Sequence, residues 1–326
     1  MRGATSFLLS SASTAAVLIC LAVGSDLRAQ DAVAAATASP QFAPGVLTTI
    51  PPQLDPADTV STHDLVELRA KADLKRDPKL LSETRTVYEL AEGAEFRRDI
   101  WCLEFSFKPL RMLAVDIPQP SGKMQRKLVW YLVYRVRNTG AGIAPKQNDD
   151  GTFTTVPKSM GPQRFVPQFM LTSLDRDRRG EPIRKSYMDR IMPTAVEAIA
   201  RREMSGRQLL NSVEVAQKLL EPETGRAVGG VWGVATWEDV DPEMDFFAIF
   251  VSGLTNAYGW EDAANFQAGA APGTGRTFTR KVLQLNFWRP GDSHAENETE
   301  IRYGSAPGMA GLYNSPEGIA HQWVYR

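Results

Sequence analysis

The sequence is poor in the residues that build metal sites and disulfides, with two cysteines and three histidines among 326 residues. His63, His294 and His321 are far apart, and none stands in a spacing typical of a metal-ligand pair. Cys102 lies in the apolar segment IWCLEFSF, which predicts a small buried core residue rather than a nucleophile. The other cysteine is near the N-terminus, so the composition argues against a zinc site and against a disulfide-stapled fold.

Motifs of common enzyme classes are also missing. No serine has the G-x-S-x-G setting of a hydrolase nucleophile. The glycine-rich segments 225–233 and 269–275 lack the Lys-Ser/Thr pair that follows a phosphate-binding loop. The net charge of −1 gives no basic excess for phosphate groups, so nucleic acid is not an expected partner. We therefore predict no catalytic residue, no cofactor and no metal ligand, and favour a non-enzyme over an enzyme.

Residues 1–29 predict a cleaved signal peptide. Arg2 is followed by an apolar run over residues 7–23, and Ala29 is a small residue at the predicted cleavage position. Two alternatives stay open, namely a short membrane anchor and lipid attachment at Cys20. Without residues 1–29 the chain carries 35 basic and 37 acidic side chains, a net charge of −2. We expect an extracytoplasmic location with no stable membrane span after cleavage.

Residues 127–140, KLVWYLVYRVRNTG, give the clearest strand pattern. Every second residue from Leu128 to Val136 is large and apolar, whereas the intervening positions change from apolar to arginine at 135 and 137. A period of two directs side chains to alternate faces of a strand, so we expect one face to be buried along its whole length. The tripeptide NTG at 138–140 predicts a turn.

Further strands are predicted along the chain, separated by turn residues. They cover residues 100–108, 111–117, 153–156, 164–172, 231–237, 246–254, 277–288, 301–304 and 322–325. The clearest helix lies within residues 186–204, where Pro193 suits a first helical position. Residues 208–220 are ambiguous between strand and helix. Because this is not a βαβ alternation, we predict a mainly β fold, a β-sandwich with one or two short helices.

Composition also suggests the domain organisation. Residues 30–60 are rich in Ala, Pro and Thr and predict a disordered tether. Residues 61–95 predict a helical lead-in, in which Ser61 and Asp64 fit a capping box. Residues 96–326 predict the β-sandwich domain. A loose similarity between WYLVYRVRN and AIFVSGLTN leaves a division into halves 96–205 and 206–326 open as an alternative.

The segment YRVRNTG, residues 134–140, resembles the V-x-N-x-G strand and turn common in bacterial extracellular immunoglobulin-like modules. A wider set of segments is similar to an uncharacterised family of secreted planctomycete proteins, over roughly residues 95–290. These segments are residues 100–108, 127–140, 164–171, 231–241 and 246–256. The resemblance implies export and an immunoglobulin-like β-sandwich. It implies no functional residue, because that family has none known.

The acidic segment 238–245, EDVDPEMD, is the best polar cluster. Asp239, Asp241 and Asp245, with Glu243 between them, alternate along it and are able to present several oxygens to calcium. No glycine bends the segment, and no bidentate Glu follows at the twelfth position. A solvated turn between two apolar strands is therefore the competing interpretation.

Four tryptophans, Trp232, Trp237, Trp260 and Trp288, are candidates for an aromatic platform that binds a sugar. Aromatic residues on alternating strands also fill cores, and Trp260, predicted in a loop, is the one expected to be exposed.

Two functions are expected from these features. The first is an exported, non-catalytic structural or interaction module of the cell envelope. The alternative is an extracytoplasmic glycan-binding or glycan-acting protein. The expected partner is accordingly an envelope protein or a glycan.

Overall fold

Strands dominate the fold. The computed structural model describes residues 47–62, 95–204, 207–223, 229–266, 275–290 and 300–326. In these ranges every pair of neighbouring strands is antiparallel. This agrees with the lack of βαβ alternation in the sequence, because parallel strands need long crossover connections. The prediction of a mainly β fold is confirmed.

The elements are numbered here in chain order. The strands are β1 (Thr48–Ile50), β2 (Val60–Thr62), β3 (Glu95–Arg97), β4 (Ile100–Trp101), β5 (Glu104–Phe107), β6 (Arg111–Pro118), β7 (Met124–Arg137), β8 (Gly142–Gln147), β9 (Phe153–Pro157), β10 (Gln163–Arg164), β11 (Gln168–Ser173), β12 (Ser186–Met188), β13 (Leu219–Leu220), β14 (Val231–Trp237), β15 (Phe246–Ser252), β16 (Tyr258–Asp262), β17 (Arg276–Trp288), β18 (Arg302–Tyr303) and β19 (His321–Tyr325). The α-helices are α1 (Pro193–Glu203) and α2 (Ser212–Gln217), and short 3-10 helices cover Pro56–Asp58 and Ala310–Tyr313.

Two large sheets hold most of these strands. The first has the order β1-β5-β7-β14, and β6 pairs with β7 as well. The long β7 pairs with two strands in succession, with β6 up to Tyr131 and with β5 from Tyr134. The second sheet has the order β12-β11-β15-β17-β16, with β18 and β19 also on β17. The described residues form three small sheets besides, β2-β3, β4-β8-β9 and β10-β13.

The two large sheets face each other across the largest core cluster. Trp130 and Tyr134 of β7 contact Phe247 of β15 and Phe169 of β11, with ring centroids 5.4 and 4.8 Å apart. Every second residue of β7 from position 130 to 136 belongs to this cluster, as the alternation predicts. Leu128 is 46% exposed, so the prediction that this face is buried along its whole length is wrong at that end. There, among the described strands, β7 pairs with β6 alone.

Helix α1 covers the opposite face of β7. Ala195 and Ile199 are fully buried in a second cluster with Val129, Tyr131 and Val133. The helix begins at Pro193 as predicted, since proline has no N–H to leave unpaired in the first turn. The sequence therefore places this helix correctly.

The side chain of Asn138 stabilises the turn after β7. Its side chain accepts a hydrogen bond from the Gly140 N–H at 2.8 Å and donates to the carbonyls of Gly161 and Leu220, each at 3.0 Å. Gly140 has φ +72°, a conformation that favours glycine. The predicted turn at 138–140 is confirmed, and its asparagine joins three segments of the chain.

The structure corrects the predicted tether over residues 30–60. Residues 48–50 form β1, which pairs with β5, and Ile50 is 2% exposed. Ser61 lies in β2 rather than at the start of a helix, which corrects the beginning of the lead-in 61–95. The composition of this segment does not indicate β1 and β2, because each is stabilised by a partner strand that lies far along the sequence. The rest of the predicted lead-in, at 63–94, and the predicted signal peptide lie outside the described residues.

Other boundaries depend on local chemistry. Within residues 208–220, Val213 and Val215 lie in α2, whereas residues 219–220 form β13. A capping box between Asn211 and Glu214 starts that helix, and it outweighs the strand preference of the valines. The predicted strand 164–172 is divided into β10 and β11, and Pro167, which cannot donate a ladder hydrogen bond, lies between them. β8 and β16 are not among the predicted strands, because their sequences alternate little.

All described residues belong to one compact unit, Gln41–Arg326. The largest core cluster draws on both candidate halves, 96–205 and 206–326. Within the described ranges, no helix has the length and apolar character needed to cross a membrane.

Candidate functional site

The acidic segment 238–245 is a turn between β14 and β15 whose carboxylates bind neighbouring lysines and an arginine. The Lys127 Nζ lies 3.1 Å from Glu238 Oε2 and 2.9 Å from Asp239 Oδ2. Glu238 also pairs with Arg190. The hydrogen bonds that Lys127 donates to Asp239 and Glu238 raise its pKa. Cations from other segments of the chain therefore neutralise these carboxylates.

The other calcium candidates have structural partners too. Asp241 pairs with Lys185, whose hydrogen bond lowers the pKa of this carboxyl, and it accepts the Glu243 N–H at 3.1 Å. The Asp245 N–H donates to Asp175, 3.3 Å away. Nowhere in the described ranges do three or more His, Cys, Asp or Glu side chains form a group able to hold a metal ion. The arrangement is that of an ion-paired turn.

The structure does not bring the four candidate tryptophans together. Trp237 is fully buried in the core, and Trp232 lies on the same strand under the Arg135 guanidinium. Trp288 and Trp260 are both in the second sheet, but Trp288 lies at the far end of β17 from the partner of Trp260. Trp260 is half-buried in β16, so the prediction of a loop position is wrong.

Trp260 belongs to an aromatic face on the ribbon formed by β16 and residues 276–280 of β17. Trp260 is directly opposite Phe278, and Tyr258 is directly opposite Arg280. Residues opposite each other in antiparallel strands project to the same face. The rings of Tyr258 and Phe278 pack edge to face with centroids 6.0 Å apart, and Phe278 is 55% exposed. Three aromatic side chains therefore share one accessible face.

A groove of about 650 Å³ lies beside this face. Its lining combines the aromatic pair Tyr258 and Phe278 with polar side chains, among them Thr255, Asn256 and Thr279. The Asn256 amide donates to the Asp99 carbonyl at 2.8 Å and accepts the Trp101 N–H at 3.0 Å. These bonds hold the wall between β15 and β16 in place. The groove has both apolar and hydrogen-bonding surface, which is typical of small-ligand sites.

Gly253 shapes one end of the groove. Its φ is +93°, and a Cβ at this position would lie 2.3 Å from the Val166 carbonyl oxygen. Only glycine allows this backbone approach without displacement of the neighbouring segment. The chain can therefore leave β15 sharply and turn into the wall of the groove.

Arg98 lies against the aromatic face from a segment far away in the sequence. Its guanidinium carbon is 3.7 Å from the centroid of the Tyr258 ring, and its Nη2 donates to the Tyr258 carbonyl at 3.1 Å. Stacking of a guanidinium on an aromatic ring is favourable and fixes the ring. Sequence patterns could not reveal this contact, because 160 residues separate the two residues.

A buried ion pair lies at the base of the groove. Lys281 Nζ is 2.8 Å from Asp58 Oδ2, and both side chains are 5% exposed. The Tyr325 hydroxyl donates to the other Asp58 oxygen. Burial and, as a smaller cause, this hydrogen bond to a carboxylate raise the pKa of Tyr325. The three residues connect the N-terminal segment to β17 and β19.

A second buried carboxylate, Glu203, ends helix α1 on the first sheet. Its Oε1 accepts hydrogen bonds from Arg111 at 2.7 Å and from Tyr131 at 2.8 Å. Burial alone would raise the pKa of Glu203, but the hydrogen bonds from Tyr131 and Arg111 lower it overall. Glu203 therefore fixes the helix to the sheet as an anion.

The carboxylate arrangement needed for glycoside hydrolysis is not found at the groove. Of its nine described lining residues none is Asp or Glu. Among described carboxylates with a resolved shift, only Asp175 has a raised pKa, caused by burial, and it accepts the Phe246 N–H at 2.8 Å at the start of β15. The groove begins beyond the other end of that strand, about 20 Å away at the rise of an extended chain.

Cys102 and His321 are the remaining predicted residues that the structure describes. Cys102 is 1% exposed, as predicted, and burial raises the pKa of its thiol to about 11. His321 is half-buried beside the Tyr303 hydroxyl at 3.0 Å, and burial lowers its pKa. His63 and His294 lie outside the described residues.

No protein-family model, curated protein or solved structure matches the chain.

Proposed function

We propose that the chain is an exported, non-catalytic interaction module of the cell envelope that binds a glycan in the groove beside β16 and β17. The observation that carries the proposal is the aromatic face of Tyr258, Trp260 and Phe278 next to hydrogen-bonding side chains. A sugar ring has apolar C–H faces and a polar rim of hydroxyl groups. Aromatic faces bury the first, and amide or hydroxyl side chains satisfy the second.

A binding role agrees better with the site than a glycan-acting role. Hydrolysis by the common mechanism uses two carboxyl groups on either side of the scissile bond. The lining of the groove supplies two cations, Arg280 and Lys281, in place of such a pair. The nearby Asp262 is held by Arg276 through bonds of 2.5 and 2.7 Å, which lower the pKa of this carboxyl. Its role is to hold the two strands together.

The immunoglobulin-like sandwich and the export belong to the same proposal. Two antiparallel sheets with a shared aromatic core support the first, together with the V-x-N-x-G turn around Asn138. The signal-peptide pattern of residues 1–29 supports the second. Protein isolated from the envelope fraction should then begin at Gln30. Recovery of the chain from the cytosol with residues 1–29 intact would contradict export.

The binding proposal is tested by calorimetric titration of the full chain with four-sugar oligomers. The probes are cellotetraose, galactotetraose, tetragalacturonate and the methyl ester of tetragalacturonate. We expect at least one to bind without any increase in reducing ends. Phe278→Ala should weaken that binding about tenfold or more, because it removes an aromatic contact surface.

Phe153→Ala is the matched control. Like Phe278, Phe153 is a strand aromatic, but it is half-buried in β9, with the Arg97 guanidinium carbon 5.0 Å from its ring centroid. This variant should bind like the wild type. Absence of binding to every probe, or equal loss in both variants, would contradict the proposed site.

A further inference from the structure

The described side chains that line the groove carry more positive than negative charge. Its lining contains Arg280 and Lys281, and none of the nine described lining residues is acidic. Lys281 is neutralised by Asp58 below the groove. Arg280 is exposed, and no Asp or Glu side chain in the described ranges forms an ion pair with it. Among the described side chains that line the groove, the accessible charge is therefore positive.

A second arginine stands beside Arg280 in the same cross-strand row. Arg280 and Arg326 exchange both backbone hydrogen bonds, with N–O distances of 2.8 and 3.0 Å. Their side chains therefore project to one face, the face that also carries Tyr258. Like charges directly opposite each other in a sheet are destabilising. A bound anion between them would remove this repulsion.

Arg326 packs against an aromatic ring of the sheet and is partly shielded from water. Its guanidinium carbon lies 3.9 Å from the centroid of the Phe250 ring. Burial lowers the pKa of Arg326, and no carboxylate side chain of the described residues offsets this effect. A partly desolvated cation gains more from an anionic ligand than a fully hydrated one does.

Arg98 adds a third positive charge behind the aromatic face. Its Nε and Nη1 are buried and lack a hydrogen-bond partner in the described part of the chain. These nitrogens are out of reach of a ligand while Arg98 stacks on Tyr258. Arg98 therefore contributes electrostatic potential through the ring rather than a direct contact.

The closest acidic residues of the ribbon do not balance these charges. Asp262 is bound by Arg276 in a bidentate pair. Glu261 is directly opposite Thr277, which places it on the other face of the ribbon from Tyr258 and Arg280. The positive potential on the aromatic face is thus retained.

We infer that the groove selects an anionic glycan, in which a carboxylate or sulfate group on a sugar ring lies between Arg280 and Arg326 while the ring packs against Tyr258 and Phe278. The inference rests on the proposed glycan binding and narrows its ligand to one charge class. A guanidinium and an oxyanion form charge-assisted hydrogen bonds that a neutral hydroxyl group does not match. Selectivity should therefore come from the arginines, and general sugar affinity from the aromatic side chains.

The test compares tetragalacturonate with its methyl ester in calorimetric titrations of the full chain. The two probes share the same rings and linkages and differ at the carboxyl groups, which are charged in the acid and are neutral methyl esters in the other probe. We expect the acid to bind about tenfold or more tightly than the ester at low salt, and the preference to shrink as salt is added. A sulfated galactotetraose, compared with the unsulfated one, distinguishes sulfate from carboxylate as the recognised group.

Arg280→Gln should reduce the ratio of acid to ester affinity, because one of the two arginines that hold the carboxylate loses its charge. Arg178→Gln is the matched control, because Arg178 is also exposed but lies between β11 and β12. If each neutral probe binds as tightly as its charged counterpart, the inference is overturned while the proposed glycan binding stands. If none of the probes binds, both are overturned.

Discussion

Lys281 and Asp58 form an ion pair in which each side chain is 5% exposed, although 223 residues separate them in the sequence. The pair joins the N-terminal segment to the central strand β17, and the Tyr325 hydroxyl satisfies the second carboxylate oxygen. Two charges are costly to bury, so each depends on the other for compensation. The pair therefore fixes the position of a segment whose composition suggests no order.

Lys281→Met should lower the free energy of unfolding by about 3–5 kcal/mol, because it leaves the Asp58 carboxylate buried without its cation. Urea denaturation followed by tryptophan fluorescence measures this change. Arg126→Met is the control, since it removes a pair with Asp116 whose side chains are 71% and 57% exposed. Its effect should stay below about 1 kcal/mol. Equal effects of the two substitutions would show that burial of the Lys281 pair does not affect the free energy of unfolding.

The Glu203 carboxylate should make stability depend on pH in the acid range. Its pKa in the folded state is lowered, so its contribution is fully present above the pKa of the unfolded chain, about 4.3, and is lost as pH falls through the lower folded pKa. Glu203→Gln should therefore be less stable than the wild type at pH 7, and the gap should narrow steadily below about pH 4.3. Urea midpoints between pH 7 and pH 3 measure the gap. A gap that stays constant over this range would contradict the assignment.

Calcium should leave the melting temperature of the protein unchanged. Asp239 and Asp241, the leading candidates for a calcium site, already pair with Lys127 and Lys185. A divalent cation would have to displace these lysines. Melting curves recorded with millimolar calcium and with a chelator measure the effect. A rise of more than about 4 °C with calcium, equivalent to roughly 1 kcal/mol or more, would restore the calcium hypothesis.

Cys102 should be inert in the native protein. Burial raises the pKa of its thiol to about 11, and the residue is 1% exposed. Compared with an ordinary thiol of pKa about 8.5, the thiolate is at least about a hundredfold scarcer near pH 8. In a Cys20→Ser variant, labelling with a thiol reagent should be slower than in urea by at least that factor. Rapid native labelling would show that the surrounding core opens.

The sequence by itself determined the mainly β class, the core face of β7, the start of α1 at Pro193 and the turn at Asn138. Each of these depends on residues within one segment, because side-chain periodicity and local backbone chemistry are properties of that segment alone. It also singled out Trp260, although in a loop rather than in a strand.

Only the tertiary structure decided which strands pair, and therefore what shares a surface. It placed β1 on β5, Phe278 opposite Trp260 and Arg98 against Tyr258, and it separated the acidic segment from the groove by the length of β15. These relationships join residues far apart in the chain. A strand's period fixes which face a side chain occupies, but it does not specify which distant strand lies beside it.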